Sequence, residues 1–139
     1  MFKMLIGALA LLTTAAPAFA SPCNGVDLAV GSVSVKNVST SGGLSHYNIT
    51  GSVTNVGSAS QGADALQSVD IYEGKDKLDS RSIPPLKASQ SFTFSYISTR
   101  STDAGTGTTH LRFQLNVSHP SSADSQICNM ANDSFTLTF

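Results

Sequence analysis

The chain has 139 residues, with eight Lys or Arg against nine Asp or Glu and a formal net charge of −1. That length fits one domain with a single core. Without a basic cluster there is no electrostatic footprint for nucleic acid.

The first twenty residues read as an address, not as fold. Met1-Phe2-Lys3 is a short positive start, Met4 to Leu12 an apolar run, and Thr13 to Ala20 a small-residue stretch ending Ala18-Phe19-Ala20. This is the pattern of an export signal cleaved after Ala20. The apolar run is about half the roughly 20 residues a spanning helix needs. Residues 1–20 are therefore expected to be a signal peptide. Residues 21–139 are expected to form a periplasmic or secreted domain without stable membrane insertion. Both cysteines, Cys23 and Cys128, fall in that mature part. In an oxidising compartment they are expected to form one disulfide. Closing a loop of about 100 residues is worth about 4.7 kcal/mol in the chain-entropy account.

The mature chain shows period-two alternation and almost no helical pattern. Val26 to Lys36 places Leu28 and Val30 on one face, then shifts phase after Gly31-Ser32 to Val33 and Val35. A bulge produces such a shift, and in sandwiches it lets a first strand cross between sheets. Strands are then predicted over His46 to Asn55, Leu66 to Glu73, Lys77 to Ile83, Ser91 to Ser98, His110 to Ser118 and Ser134 to Phe139. Pro84-Pro85 stops the fourth of these seven strands, because proline has no N–H for the ladder. Gly/Ser-rich connections such as Thr40 to Ser45, Gly57 to Ala63 and Ser101 to Gly107 separate them. The expected fold is all-β: a seven-stranded antiparallel immunoglobulin-like sandwich.

The order of short motifs resembles the CARDB domain, a bacterial cell-adhesion-related, immunoglobulin-like module. The residues that carry the resemblance are Asp27-Leu28-Ala29-Val30, Tyr47-x-Ile49 running into Val53-Thr54-Asn55-Val56-Gly57, and Val69-x-Ile71-Tyr72-x-x-Gly74. Ile83 with Leu86 then precedes Phe92-x-Phe94, Asp103-Ala104-Gly105 precedes the Leu111 strand, and Asn129-x-Ala131-Asn132-x-Ser134 precedes the last. The resemblance runs over essentially all of Asp27 to Phe139. It implies an exported bacterial sandwich, often found beside other domains, with no shared catalytic site. Many members have acidic residues before the last Asn-rich turn. Here Ser121 to Cys128 has only Asp124, so a cation site on that loop is not expected. The cysteine pair reads as a local addition.

Little else in the sequence carries chemistry. His46, His110 and His119 lack the spacing of a zinc site. There is no G-x-S-x-G elbow. Asp70, Glu73, Asp76 and Asp79 surround one hairpin and match no calcium loop. The sequons at Asn37, Asn48, Asn116 and Asn132 are expected to be unmodified in a bacterial protein. The aromatic end at Phe139 also occurs in outer-membrane barrels, but seven short strands do not make one. No catalytic site, cofactor or metal is expected, and the chain is not read as an enzyme. It is expected to be a monomeric adhesion-type interaction module with a protein or carbohydrate partner. If a sheet face does the binding, Asp70, Tyr72, Arg112 and Gln114 are the expected contacts, since Tyr and Arg are common interface anchors. A subunit of a surface appendage, assembled by edge pairing through its last strand, is the alternative. An enzyme inhibitor is a third reading.

Overall fold

A computed structural model describes residues 24–103, 107–119 and 130–139. The expected cleavage site at Ala20 and both cysteines, Cys23 and Cys128, lie outside the described residues. The strands are β1 (Leu28–Val30), β2 (Ser34–Ser41), β3 (Leu44–Asn55), β4 (Leu66–Glu73), β5 (Asp76–Ile83), β6 (Ser91–Ser101), β7 (His110–His119) and β8 (Ser134–Thr138). A 3₁₀ turn, Met130–Asn132, precedes β8. Every strand pair is antiparallel. One sheet is built on β3, with β6 along one edge and β1 and β2 in tandem along the other. The second sheet has the order β5-β4-β7-β8.

The expected sandwich is therefore present, with eight strands among the described residues where seven were predicted. The extra one arises because the first predicted strand divides at Gly31. There the main chain comes very close to β3: the Gly31 N–H donates to the Ser52 carbonyl at 2.7 Å, and a Cβ would meet Ser52 Oγ at 2.5 Å. The inward phase moves from Leu28 and Val30 to Val33 and Val35, as the alternation implied. The two halves do not cross between sheets. Both remain on β3, because the bulge restores pairing to the same neighbour. The predicted loop from Thr40 to Ser45 is also mostly strand. Gly42 and Gly43 take φ of 58° and 76°, a left-handed pair that closes β2 onto β3 in two residues.

The core lies between the sheets. Val26, Leu28, Ile49 and Val53 face Val69, Ile71, Leu111 and Phe113, all 2% exposed or less. Full burial of each such side chain contributes roughly 1.5–3 kcal/mol. Phe94 of β6 meets Phe113 of β7 with ring centroids 5.7 Å apart. It fits because its cross-strand partner is Gly51; a Cβ there would fall 2.4 Å from Phe94 Cζ. Beyond the core, Arg100 of β6 pairs with Glu73 of β4 at 2.6 Å and so joins the two sheets.

One buried amide organises the loops at one end. Asn55 is fully buried at the end of β3. Its Oδ1 accepts from the Asp27 and Gly57 N–H groups, and its Nδ2 donates to the Ala59 and Leu86 carbonyls. All the hydrogen-bonding capacity of the amide is used, as burial requires. Gly57 is packed so closely that a Cβ would lie 2.1 Å from the Gly25 carbonyl. Beside it, the Gln61 and Gln67 amides bond to each other at 2.6 and 2.8 Å, and reach the Pro84 carbonyl and the Leu86 N–H. These contacts fix the long connection between β3 and β4 against the one between β5 and β6.

Candidate functional site

β4 and β7 are neighbours, with Ser68 opposite Asn116, Asp70 opposite Gln114, and Tyr72 opposite Arg112. Val69 and Ile71 point into the core, so by strand alternation the intervening residues share the outer face. Lys77 and Ser80 of β5 flank them on one side, opposite Tyr72 and Asp70. Thr136 and Ser134 of β8 flank Arg112 and Gln114 on the other. The four residues expected to form an interaction face are thus brought together in two adjacent cross-strand rows.

Their roles differ. Asp70 lies on the outer face but is only 2% exposed, so it cannot meet a partner as the alternation suggested. The neighbours cover it: Ser80 Oγ donates at 2.6 Å, Lys77 Nζ at 2.9 Å, and Ser68 Oγ and Asn116 Nδ2 at 3.1 Å each. Burial alone pushes its carboxyl up, but the donations from Ser80, Lys77, Asn116 and Ser68 together hold it down at about 2. In return, the hydrogen bond that Lys77 donates to Asp70 keeps its ammonium above its ordinary range. Asp70 is the buttress of the face.

Tyr72, Arg112 and Gln114 form the accessible part, each half-buried. The Arg112 guanidinium sits over the Tyr72 ring, 4.6 Å from its centroid, a cation–π contact. Its Nη1 donates to Gln114 Oε1. Among the described residues Arg112 pairs with no carboxylate, whereas Asp70 and Lys77 neutralise each other. The face therefore offers a flat, oriented guanidinium with donors left for an anionic or carbonyl-rich group. At the other end of the same sheet lies an open depression of about 550 Å³, lined by Leu66, Ser68, Ser80, Ser82 and Pro85 among others. Leu66 at its rim is 59% exposed.

Among the described residues the other titratable groups form no cluster of three His, Cys, Asp or Glu. His46 Nδ1 bonds Thr99 Oγ1 and His110 Nδ1 bonds Thr138 Oγ1, on different sheets. Of the acidic hairpin, Asp70 meets Lys77, Glu73 meets Arg100 and Asp79 meets Arg81. At the start of β1, Asn132 Nδ2 reaches Asp27 Oδ1 at 3.4 Å, while Asn132 Oδ1 is buried without a partner. Burial, and then the Asp27 charge, raises the nearby Asp133 carboxyl. Sequence reasoning missed Asn55, Gln61 and Gln67. Asn55 had a signal only as part of the Val53-Thr54-Asn55-Val56-Gly57 motif, Gln61 stands beside Gly62 in the long connection, and Gln67, inside β4, had none.

The fold has a known counterpart. The crystal structure of the CARDB domain of a Pyrococcus furiosus protein, solved in complex with di-metal ions, superposes with a TM-score of 0.54. It is 15% identical, and the match covers 91% of this chain and 97% of that one. The chain thus has the fold of a CARDB domain, an immunoglobulin-like sandwich. Neither a family model nor a curated protein sequence matches the chain. Among the described residues no three of His, Cys, Asp or Glu converge on one point. No helix among the described residues is long and apolar enough to cross a membrane.

Proposed function

We propose that this chain is an exported, adhesion-type binding module whose contact surface is the outer face of β4 and β7. Tyr72, Arg112 and Gln114 make the contacts, and Asp70 holds the strands beneath them. The observation that carries this reading is the Arg112 guanidinium stacked over Tyr72, fixed by Gln114 and paired with no carboxylate among the described residues. An arginine stacked on an aromatic is already ordered, so less side-chain entropy is lost on binding. The CARDB-type fold supports the reading, because it supplies a rigid sheet on which such a face is displayed. The partner is a protein or a glycan that presents a carboxylate or a cluster of carbonyls.

The test compares variants on one set of probes. An array of glycans and of acidic and neutral peptides is read with the purified protein and with Arg112→Ala and Tyr72→Ala. Hot-spot truncations typically cost 2 kcal/mol or more, so specific signals should fall at least tenfold in both variants. Signals that survive both substitutions would refute this face as the contact surface.

A further inference from the structure

We propose that the outer edge of β6 pairs with β6 of a second copy of this chain, so that two copies share one continuous sheet. This inference is independent of the β4–β7 face and departs from the monomer expected from the sequence. β6 bonds to β3 in unbroken register from Ser91 opposite Thr54 to Ser101 opposite Leu44. Among the described residues nothing pairs with its other side. A strand edge left open presents alternating N–H and C=O groups to any other strand.

The other edges carry features that discourage such pairing. The β1–β2 edge is broken at Gly31, shifts register between Asn37 and Ser39, and bears Lys36. On β5, Lys77, Asp79 and Arg81 are followed by Pro84-Pro85, and register shifts opposite its start, between Ile71 and Tyr72. β8 has only five residues. By contrast, Ser91 to Thr99 (SFTFSYIST) contains no charge, proline, glycine or bulge. These nine consecutive residues exceed a usual strand of about 5–6. Six of them, Phe92, Thr93, Phe94, Tyr96, Ile97 and Thr99, are aromatic or β-branched, the types that favour strands.

The segment is also complementary to itself. A twofold axis through Ser95 sets antiparallel pairs of Ser95 with Ser95, Phe94 with Tyr96, and Thr93 with Ile97. Opposed residues share a face. Phe94 and Tyr96, on the inward side of β6, then extend the aromatic core across the junction. Ile97, 55% exposed in the single chain, packs on the Thr93 methyl of the other copy. No like charges meet, because Arg100 lies outside the paired run and is held by Glu73. A closed twofold contact of this kind ends at two copies, since each chain has one such edge.

Sedimentation velocity of the purified protein, from micromolar to near-millimolar concentration, tests the proposal together with amide hydrogen exchange. The expected result is a dimer at the upper end. Protection of alternate amides between residues 91 and 99 should rise with concentration. Ser95→Lys places two ammonium groups face to face on the axis and should weaken dimerisation at least tenfold. Ile97→Lys should act in the same direction, and is available if the first variant folds poorly. Leu78→Lys, on the β5 edge, should leave dimerisation unchanged. A monomer at every concentration would overturn the proposal. So would undiminished dimerisation of folded Ser95→Lys and Ile97→Lys, or concentration-dependent protection confined to β2, β5 or β8.

Discussion

Replacing Asp70 with asparagine keeps the shape of the side chain and removes the charge that four donors address. In the folded chain the carboxyl titrates at about 2, against an ordinary value of 3.8. At 1.36 kcal/mol per unit, the difference corresponds to about 2 kcal/mol of stability. The sign follows from the lowered value. Between about pH 2 and 4 the unfolded chain holds this proton and the folded chain does not, so stability rises with pH. The contribution is fully present above about pH 5 and is lost as the pH falls towards 2. Asp70→Asn should therefore be about 2–3 kcal/mol less stable than the parent at pH 7. The two should converge as the pH approaches 2. Urea denaturation at a series of pH values measures both curves. The difference curve isolates Asp70 from the other carboxylates, which titrate in both proteins. A difference that does not change between pH 7 and pH 2.5 would refute the reasoning, as would a loss under 0.5 kcal/mol at pH 7.

Other consequences are open to the same measurement. Asn55→Ala leaves the Asp27 and Gly57 N–H groups and the Ala59 and Leu86 carbonyls without their partner; at about 1–3 kcal/mol per unsatisfied buried group, the loss should reach at least 3 kcal/mol in urea melts. Gly57→Ala drives a Cβ into the Gly25 carbonyl, and backbone at that position gives little, so a loss of about 2–3 kcal/mol is expected in thermal melts. The expected Cys23–Cys128 disulfide predicts no free thiol in a non-reducing mass measurement. It also predicts a loss of stability on reduction, of up to about 4.7 kcal/mol, seen as a lower denaturation midpoint. Two free thiols in the oxidised protein would refute the bond.

Legibility in the sequence followed the range of the interaction. β7 was readable because its alternation sets Leu111 and Phe113 apart from Arg112 and Gln114 within one segment. The sandwich was readable for the same reason. The Gly42-Gly43 turn was harder, because two glycines mark a turn without saying how far strand pairing runs into it. Asp70 shows the limit of parity reasoning. Alternation puts it on the outer face, but whether that position is open depends on Lys77 and Ser80, which a hairpin brings over it. Asn55, Gln61 and Gln67 were out of reach, since their partners lie up to 31 residues away. A polar residue that closes a long loop carries no local periodicity.

The Asn55 amide also bears on the time course of folding. It joins the chain at Asp27, at Gly57 and Ala59, and at Leu86, segments that approach one another only after β3, β5 and β6 are in place. Until all have arrived, the amide gains nothing by leaving water and loses its hydration. Folds dominated by distant contacts assemble slowly, on millisecond to second scales. A group with this geometry is expected to set late, so Asn55→Ala should raise the unfolding rate far more than it slows folding in stopped-flow measurements. Its bonds then act mainly on the way out: they hold the finished sandwich closed and lengthen its lifetime, while leaving the speed of assembly nearly untouched.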